Sequence, residues 1–249
     1  MQVSKEDLNA LRLQTDGPGT VCTFPEHRCA PIAMGSGTVY FADLEAHLIT
    51  HILAAEVVVG CVAWLTNENI LRALAAVPGG VNLVVQKEDF LRPDITARRS
   101  WTARLHTLYN ALRPGTDRDN CGTSLEMMSM CVDPTIEAVR CVGNYNSAKV
   151  PAHPRMHHKF LVFCSRETEE QAEDTPAWEE PRDVIVPYAV WTGSFNFTVN
   201  ATYSFENALY LTDPQVIQAY YEEWGWIEGL SEPLDWYSVW CEPQWRIGT

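Results

Sequence analysis

His157 and Lys159 stand two apart in Met156-His157-His158-Lys159-Phe160-Leu161-Val162-Phe163, and Ser194 and Asn196 stand two apart in Thr192-Gly193-Ser194-Phe195-Asn196-Phe197-Thr198. Both runs have strand composition. Side chains alternate faces along a strand, so each pair projects to one side while His158 projects to the other. An imidazole, an ammonium, a hydroxyl and a carboxamide then converge between neighbouring strands. That set suits a phosphoryl group: the imidazole attacks phosphorus, and the other three hold the non-bridging oxygens where negative charge develops. The set calls on no metal and no other cofactor.

Elements to position these residues are legible in the apolar pattern. Leu44, Leu48 and Ile52 repeat at helical spacing, and Val57 to Ala63 is a β-branched run that reads as a buried strand. Asn67 caps a helix carrying Ile70, Leu71, Leu74 and Val77, which stops at Pro78-Gly79-Gly80. Val81 to Val85 is a second strand, and Trp101, Leu105, Leu108, Tyr109 and Leu112 mark an amphipathic helix stopped by Pro114-Gly115. This alternation predicts an α/β layer with a largely parallel sheet, whose ligands bind beyond the carboxyl ends of its strands. The second half is strand-rich: Met127 to Cys131, Ala138 to Val142, His157 to Cys164, Pro187 to Thr192 and Asn207 to Leu211, with a closing helix over Asp213 to Ile227. No internal repeat is visible.

H-x-K followed by G-S-x-N, with a carboxylate about a dozen positions on, resembles the phospholipase D superfamily, here His157-x-Lys159, Gly193-Ser194-x-Asn196 and Glu206. The helix, apolar strand and Trp64-Leu65-Thr66-Asn67 helix start resemble that family too, as does Glu206-Asn207-Ala208-Leu209-Tyr210-Leu211 before the last helix. The likeness covers roughly residues 40 to 228 and implies a mixed β-sheet flanked by helices, one motif per chain. It implies that His157 is the nucleophile that forms a phosphohistidine, or the acid that protonates the leaving oxygen. Glu206 would then bond the other ring nitrogen, Lys159 and Asn196 would bind phosphoryl oxygens, and Ser194 would assist. The family's site uses two histidines, and this chain has a single H-x-K, so the resemblance implies a homodimer with the site shared across its twofold axis. Two departures stand out. The family pattern continues H-x-K-x4-D, but the Asp position is Cys164; and 28 residues, 165–192, separate the motif strands where a short turn is usual.

Charge narrows the partners. In 249 residues, 18 Lys and Arg stand against 32 Asp and Glu, a formal charge of −14. Such a chain repels polyanions at long range, so any grip on nucleic acid must be local. Residues 165–187 carry a net −6 and 206–249 a net −7, which leaves residues 1–164 nearly neutral. Within that part Arg92, Arg98, Arg99, Arg104 and Arg113 face only Asp94, and Arg98, Arg99 and Arg104 are the candidate backbone contacts. The acidic stretch 165–187 reads as a loop or lid between two strands. Its charge suggests that it masks the groove until substrate or a protein partner displaces it.

Domain boundaries follow as an N-terminal extension (1–38), a catalytic domain (39–229) containing the acidic insertion, and a Trp-rich tail (230–249) that packs on the body or on a second subunit. The N-terminus lacks the apolar core of a signal peptide, and the apolar run from Ile52 to Leu65 is too short to span a bilayer, so a cytoplasmic protein is expected. Eight cysteines without a CxxC pair read as small buried hydrophobes, with Cys22, His27 and Cys29 the one cluster resembling part of a metal site. The expected function is a metal-independent phosphodiesterase, foremost an endonuclease acting on DNA or RNA. Alternatives are phospholipid headgroup hydrolysis or transfer, which the negative charge and the lack of an amphipathic membrane helix disfavour, and a non-catalytic module that kept the fold.

Overall fold

The computed structural model describes residues 7–10, 13–14, 21–22, 30–94, 100–123, 134–168 and 183–243. Among the described residues, ten strands and four α-helices carry the fold. The strands are β1 (Leu13–Gln14), β2 (Val21–Cys22), β3 (Ile32–Met34), β4 (Gly37–Tyr40), β5 (Val57–Val62), β6 (Val81–Gln86), β7 (Val139–Val142), β8 (Lys159–Thr168), β9 (Asp183–Gly193) and β10 (Ala208–Leu211). The helices are α1 (Leu44–Ala54), α2 (Glu68–Ala75), α3 (Ser100–Tyr109) and α4 (Pro214–Gly229). Strands β1 and β2 form a separate ribbon; the others build one sheet in the order β3-β4-β10-β9-β8-β5-β6-β7.

Alternation along the central strands sorts two cores onto the two faces. From β5 and β8, Val58, Val62, Leu161 and Phe163 point toward α1, α2 and α3, meeting Leu48, Ile52, Leu71, Leu74 and Leu105. Their neighbours Val57, Val59, Cys61, Phe160 and Val162 point to the other face and meet Ile217, Tyr221, Trp224 and Ile227 of α4. Every residue of β5 and β6 is buried between two helical layers, and the two polar residues of β6, Asn82 and Gln86, spend their side chains on backbone groups. Caps fix where the helices begin. The Asn67 side chain accepts from Asn69 N and Ile70 N, worth about 1 kcal/mol, and Asp213 caps α4 ahead of Pro214.

Two expectations need correction. The sheet is mixed, as the resemblance implied, where the opening alternation alone predicted a largely parallel one: among the described residues β5–β6 and β6–β7 pair in parallel, where crossovers carry α2 and α3, and the other pairings are antiparallel. The stretch 165–187 is not wholly a loop either. Strand β8 runs on to Thr168 and β9 starts at Asp183, with Ser165 to Thr168 paired against Val186 to Asp183. The long hairpin satisfies backbone groups that a loop would leave to solvent.

Chain ends outside the expected catalytic limits join the body. Strand β3 pairs with β4, so residues 32–34 belong to the sheet. In the tail, Trp236 is buried in the first core, with Lys87 Nζ 5.0 Å and Arg92 Cζ 4.8 Å from its ring centre. Lys87 is fully buried; its ammonium meets Glu232 Oε1 at 2.5 Å and donates to Ser238 O at 3.0 Å and Trp240 O at 2.6 Å. The expected strand at Met127 to Cys131 lies outside the described residues. Among those described, no helix is long and apolar enough to cross a membrane.

Candidate active site

Four neighbouring strands end together. Across β5–β8–β9–β10, Val62 pairs with Lys159, Phe160 with Thr192 and Gly193 with Ala208. The residues just beyond these positions are therefore drawn to one edge: Trp64 after β5, His157 before β8, Ser194 and Asn196 after β9, and Glu206 before β10. Gly193 is demanded by this crowding, because a Cβ there would lie 2.3 Å from Asn207 O. Ser194 N closes the edge by donating to Asn207 O at 3.1 Å.

Strand β8 begins at Lys159, so His157 and His158 precede the strand rather than lie in it. They still diverge as expected. Lys159 Nζ donates to His157 O at 2.8 Å and sits 3.0 Å from Nδ1 and 3.2 Å from Nε2 of the same imidazole. His158 turns toward α4, where Nε2 lies 3.2 Å from Glu223 Oε1. The backbone around His157 is clamped: Met156 N donates to Gln86 Oε1 at 2.8 Å, and His158 O accepts from Ala63 N at 2.8 Å. Partial burial, then the Lys159, Arg155 and His158 charges, hold the His157 pKa below the ordinary histidine value, which favours the neutral, nucleophilic imidazole. Burial likewise lowers the Lys159 pKa, with Glu206 opposing.

Ser194 and Asn196 lie in a loop after β9, not in a strand, so period-two alternation does not govern them. Burial of Phe195 and Phe197 fixes them instead. Phe197 O accepts from Thr66 N at 2.9 Å and Asn67 N at 3.0 Å, which pins the loop against the start of α2. The Ser194 hydroxyl donates to Glu206 and accepts from Asn207 N at 3.1 Å. Glu206 thus partners Ser194, and not the second nitrogen of His157 as the resemblance implied. Asn196 Oδ1 is enclosed without a hydrogen-bond partner, an arrangement that costs about 1–3 kcal/mol.

No family model matches the chain. A protein of Acanthamoeba polyphaga mimivirus, described as "Uncharacterized protein L381", is 32% identical over 207 residues, which cover 80% of this chain and 67% of the relative. The chain belongs to the family of that mimivirus protein. Two solved structures are similar in shape. One is a phospholipase D family member, Nuc from Salmonella typhimurium, at 17% identity and a TM-score of 0.44, covering 80% of this chain and 98% of that one. The other is NucT from Helicobacter pylori, at 16% identity and a TM-score of 0.44, covering 76% of this chain and 94% of that one. The phospholipase D resemblance rests on the motif residues and their placement rather than on these overlaps.

Other expected contributors fall elsewhere. Arg104 Nε is engaged by Glu68 Oε1 at 3.1 Å, and Arg98 and Arg99 lie outside the described residues. Cys164, at the position of the family's Asp, is buried in the core beneath α4 five residues along β8 from Lys159, where it packs and does not face the site. His27 and Cys29 lie outside the described residues; among those described, no group of three His, Cys, Asp or Glu is placed to hold a metal. Gln86 escaped the sequence reading. It is a buried amide at the end of an apolar strand, and it donates to Lys87 O at 3.1 Å and Asn144 O at 2.7 Å while accepting from Met156 N. Gly143 (φ 87°) makes room for it, since a Cβ there would lie 2.5 Å from Gln86 Oε1. A lone Gln ending a valine-rich strand is the signal that was available.

Proposed function

We propose that this protein is a phosphodiesterase of the phospholipase D kind that cleaves nucleic acid at a site shared by two copies of the chain. The observation that carries the reading is the strand-end cluster: exposed His157 with Lys159 on its ring nitrogens, beside Ser194, Asn196 and Glu206. A neutral ring nitrogen of His157 attacks phosphorus. The P–N bond forms as the P–O bond to the leaving oxygen breaks, and that oxygen takes a proton from the protonated His157 of the second copy. Water then attacks phosphorus, its proton passes to the now neutral second histidine, and the P–N bond breaks. Lys159 and the Asn196 amide bind the non-bridging oxygens, and Ser194, held by Glu206, stands beside them.

Exposure of His157 in the single chain fits a site that a second copy completes. The net charge of −14 repels nucleic acid and anionic lipid alike, so the grip on substrate is local and cleavage assays decide between the two. The test is cleavage of labelled DNA, RNA and phosphatidylcholine with EDTA present, wild type beside His157→Ala. Cleavage of DNA or RNA that His157→Ala abolishes, with a phosphohistidine trapped on the wild type, is expected. Cleavage that survives the substitution, or that EDTA removes, overturns the mechanism; turnover of phosphatidylcholine alone moves the substrate to lipid. No turnover and no trapped adduct make the chain a binding module.

A further inference from the structure

Lys159 does not orient the His157 ring by itself. Its Nζ is nearly equidistant from the two ring nitrogens, 3.0 Å and 3.2 Å, so it does not distinguish them. Glu206, the carboxylate that the resemblance assigned to the second nitrogen, accepts from Ser194 through one of its oxygens within this chain. A nucleophile needs one nitrogen aimed at phosphorus, and a displacement of 1 Å can cost about 100-fold in rate.

The other contact to the ring comes from Trp64. Its indole packs edge-to-face with the His157 imidazole, ring centres 5.2 Å apart and planes at 78°, a preferred geometry for aromatic pairs. Trp64 stands two residues beyond the end of β5 and His157 two residues before the start of β8. Those strands pair through Val62 and Lys159, so the sheet itself brings the two rings together. The indole is in turn tied down: Nε1 donates to Glu88 Oε1 at 3.1 Å, and Glu88 lies two residues beyond the end of β6, the parallel neighbour of β5. Trp64 and Glu88 belong to neither motif.

We propose that Trp64, held by Glu88, is a positioning residue that sets the attacking orientation of the His157 imidazole. The inference rests on the phosphodiesterase reading and extends it to two residues that touch no reacting atom. Burial raises the Glu88 pKa, with the indole hydrogen bond opposing, which fits a carboxylate kept out of water to hold one partner.

A cycle of Trp64→Phe and Glu88→Ala, with Glu88→Gln as the conservative variant, tests the device. Glu88→Ala is expected to lower kcat about tenfold with KM within twofold of wild type. Glu88→Gln, whose amide oxygen still accepts the indole N–H, recovers most of that loss. In the Trp64→Phe background Glu88→Ala has no further effect, because Glu88 acts only through the indole N–H. In the resting protein, the His157 ring-proton resonances shift in both Trp64→Phe and Glu88→Ala. Unmoved resonances overturn the proposal, as does a Glu88→Ala loss that recurs in full in the Trp64→Phe background. Wild-type cleavage by His157→Ala would instead sink the phosphodiesterase reading, and the resonances would still decide whether Trp64 holds the ring.

Discussion

The two ends of the β8–β9 hairpin are built from the same paired strands and behave as opposites. At the Lys159 and Gly193 end, β5, β8, β9 and β10 all terminate, and the chain leaves polar groups there that the fold does not use up: an exposed imidazole, a half-buried ammonium and an amide with an unpaired oxygen. At the Thr168 and Asp183 end, the hairpin reaches past its neighbours, and its local groups satisfy one another. Thr168 Oγ1 donates to Asp183 Oδ1 at 3.0 Å, Arg166 N donates to Glu56 at 2.6 Å, and Arg166 Nη2 donates to Gly115 O at 2.7 Å. Nine residues of strand separate Lys159 from Thr168, about 30 Å at strand rise. The motif residues therefore gather where strands end together, and Glu167 and Asp183 of the acidic stretch stand at the other pole of the same ribbon.

The largest expected effect breaks the first end outright. His157→Ala removes the nucleophile and is expected to cut single-turnover cleavage at least 10⁴-fold, about 5.5 kcal/mol of barrier, with an unchanged melting temperature because the side chain is exposed. Lys159→Met comes next. Losing a donor to the charged oxygens is expected to cost about 10²–10³-fold in kcat. Its pH profile carries a second signature. The Lys159 charge lowers the His157 pKa, second only to burial, so the acid limb of wild-type activity falls below the ordinary histidine range. Without that charge the His157 pKa rises, and the limb moves to higher pH. A limb that stays put or moves down would mean that the two side chains are not coupled in the working enzyme.

Much of this end was legible because its signals are local. Two-residue spacings gave His157 with Lys159 and Ser194 with Asn196, although the second pair lies in a loop after β9 and not in the strand that its composition suggested. Both helix caps, Asn67 and Asp213, follow from residue type and a following apolar period. What was missed is non-local. Trp64 and Glu88 reach His157 only because β5 pairs with β8 and with β6, a topology that no short window contains. Glu206 was found; within one chain its carboxylate meets a hydroxyl brought in by the β9–β10 register, a partner that no short window shows. The stretch 165–187 was read as a loop because Ser165 to Thr168 carries no apolar alternation, and only pairing with Asp183 to Val186 across the hairpin makes it strand.

A smaller effect probes how firmly the first end is held. Ser194→Ala releases Glu206 and removes the acceptor of Asn207 N, and it is expected to lower kcat about tenfold. An equal loss in Glu206→Gln, and no further loss in the double variant, would show that the pair acts as a unit.

The smallest expected effect decides whether the two ends communicate. Charge alone suggested that the acidic insertion masks the site, yet the described part of the hairpin that carries it runs to Thr168 and Asp183, about 30 Å along the strand from Lys159. At that separation, several Debye lengths at physiological salt, the Glu167 and Asp183 carboxylates exert little field on the site. Replacing residues 169–182 by a two-residue Asn-Gly turn, which closes the hairpin at Thr168 and Asp183, is therefore expected to leave kcat/KM within twofold at 150 mM salt. A rise of tenfold or more would mean that the second copy of the chain carries its insertion back over the first copy's site, so that the two poles of the ribbon meet in the dimer though they are apart in the chain.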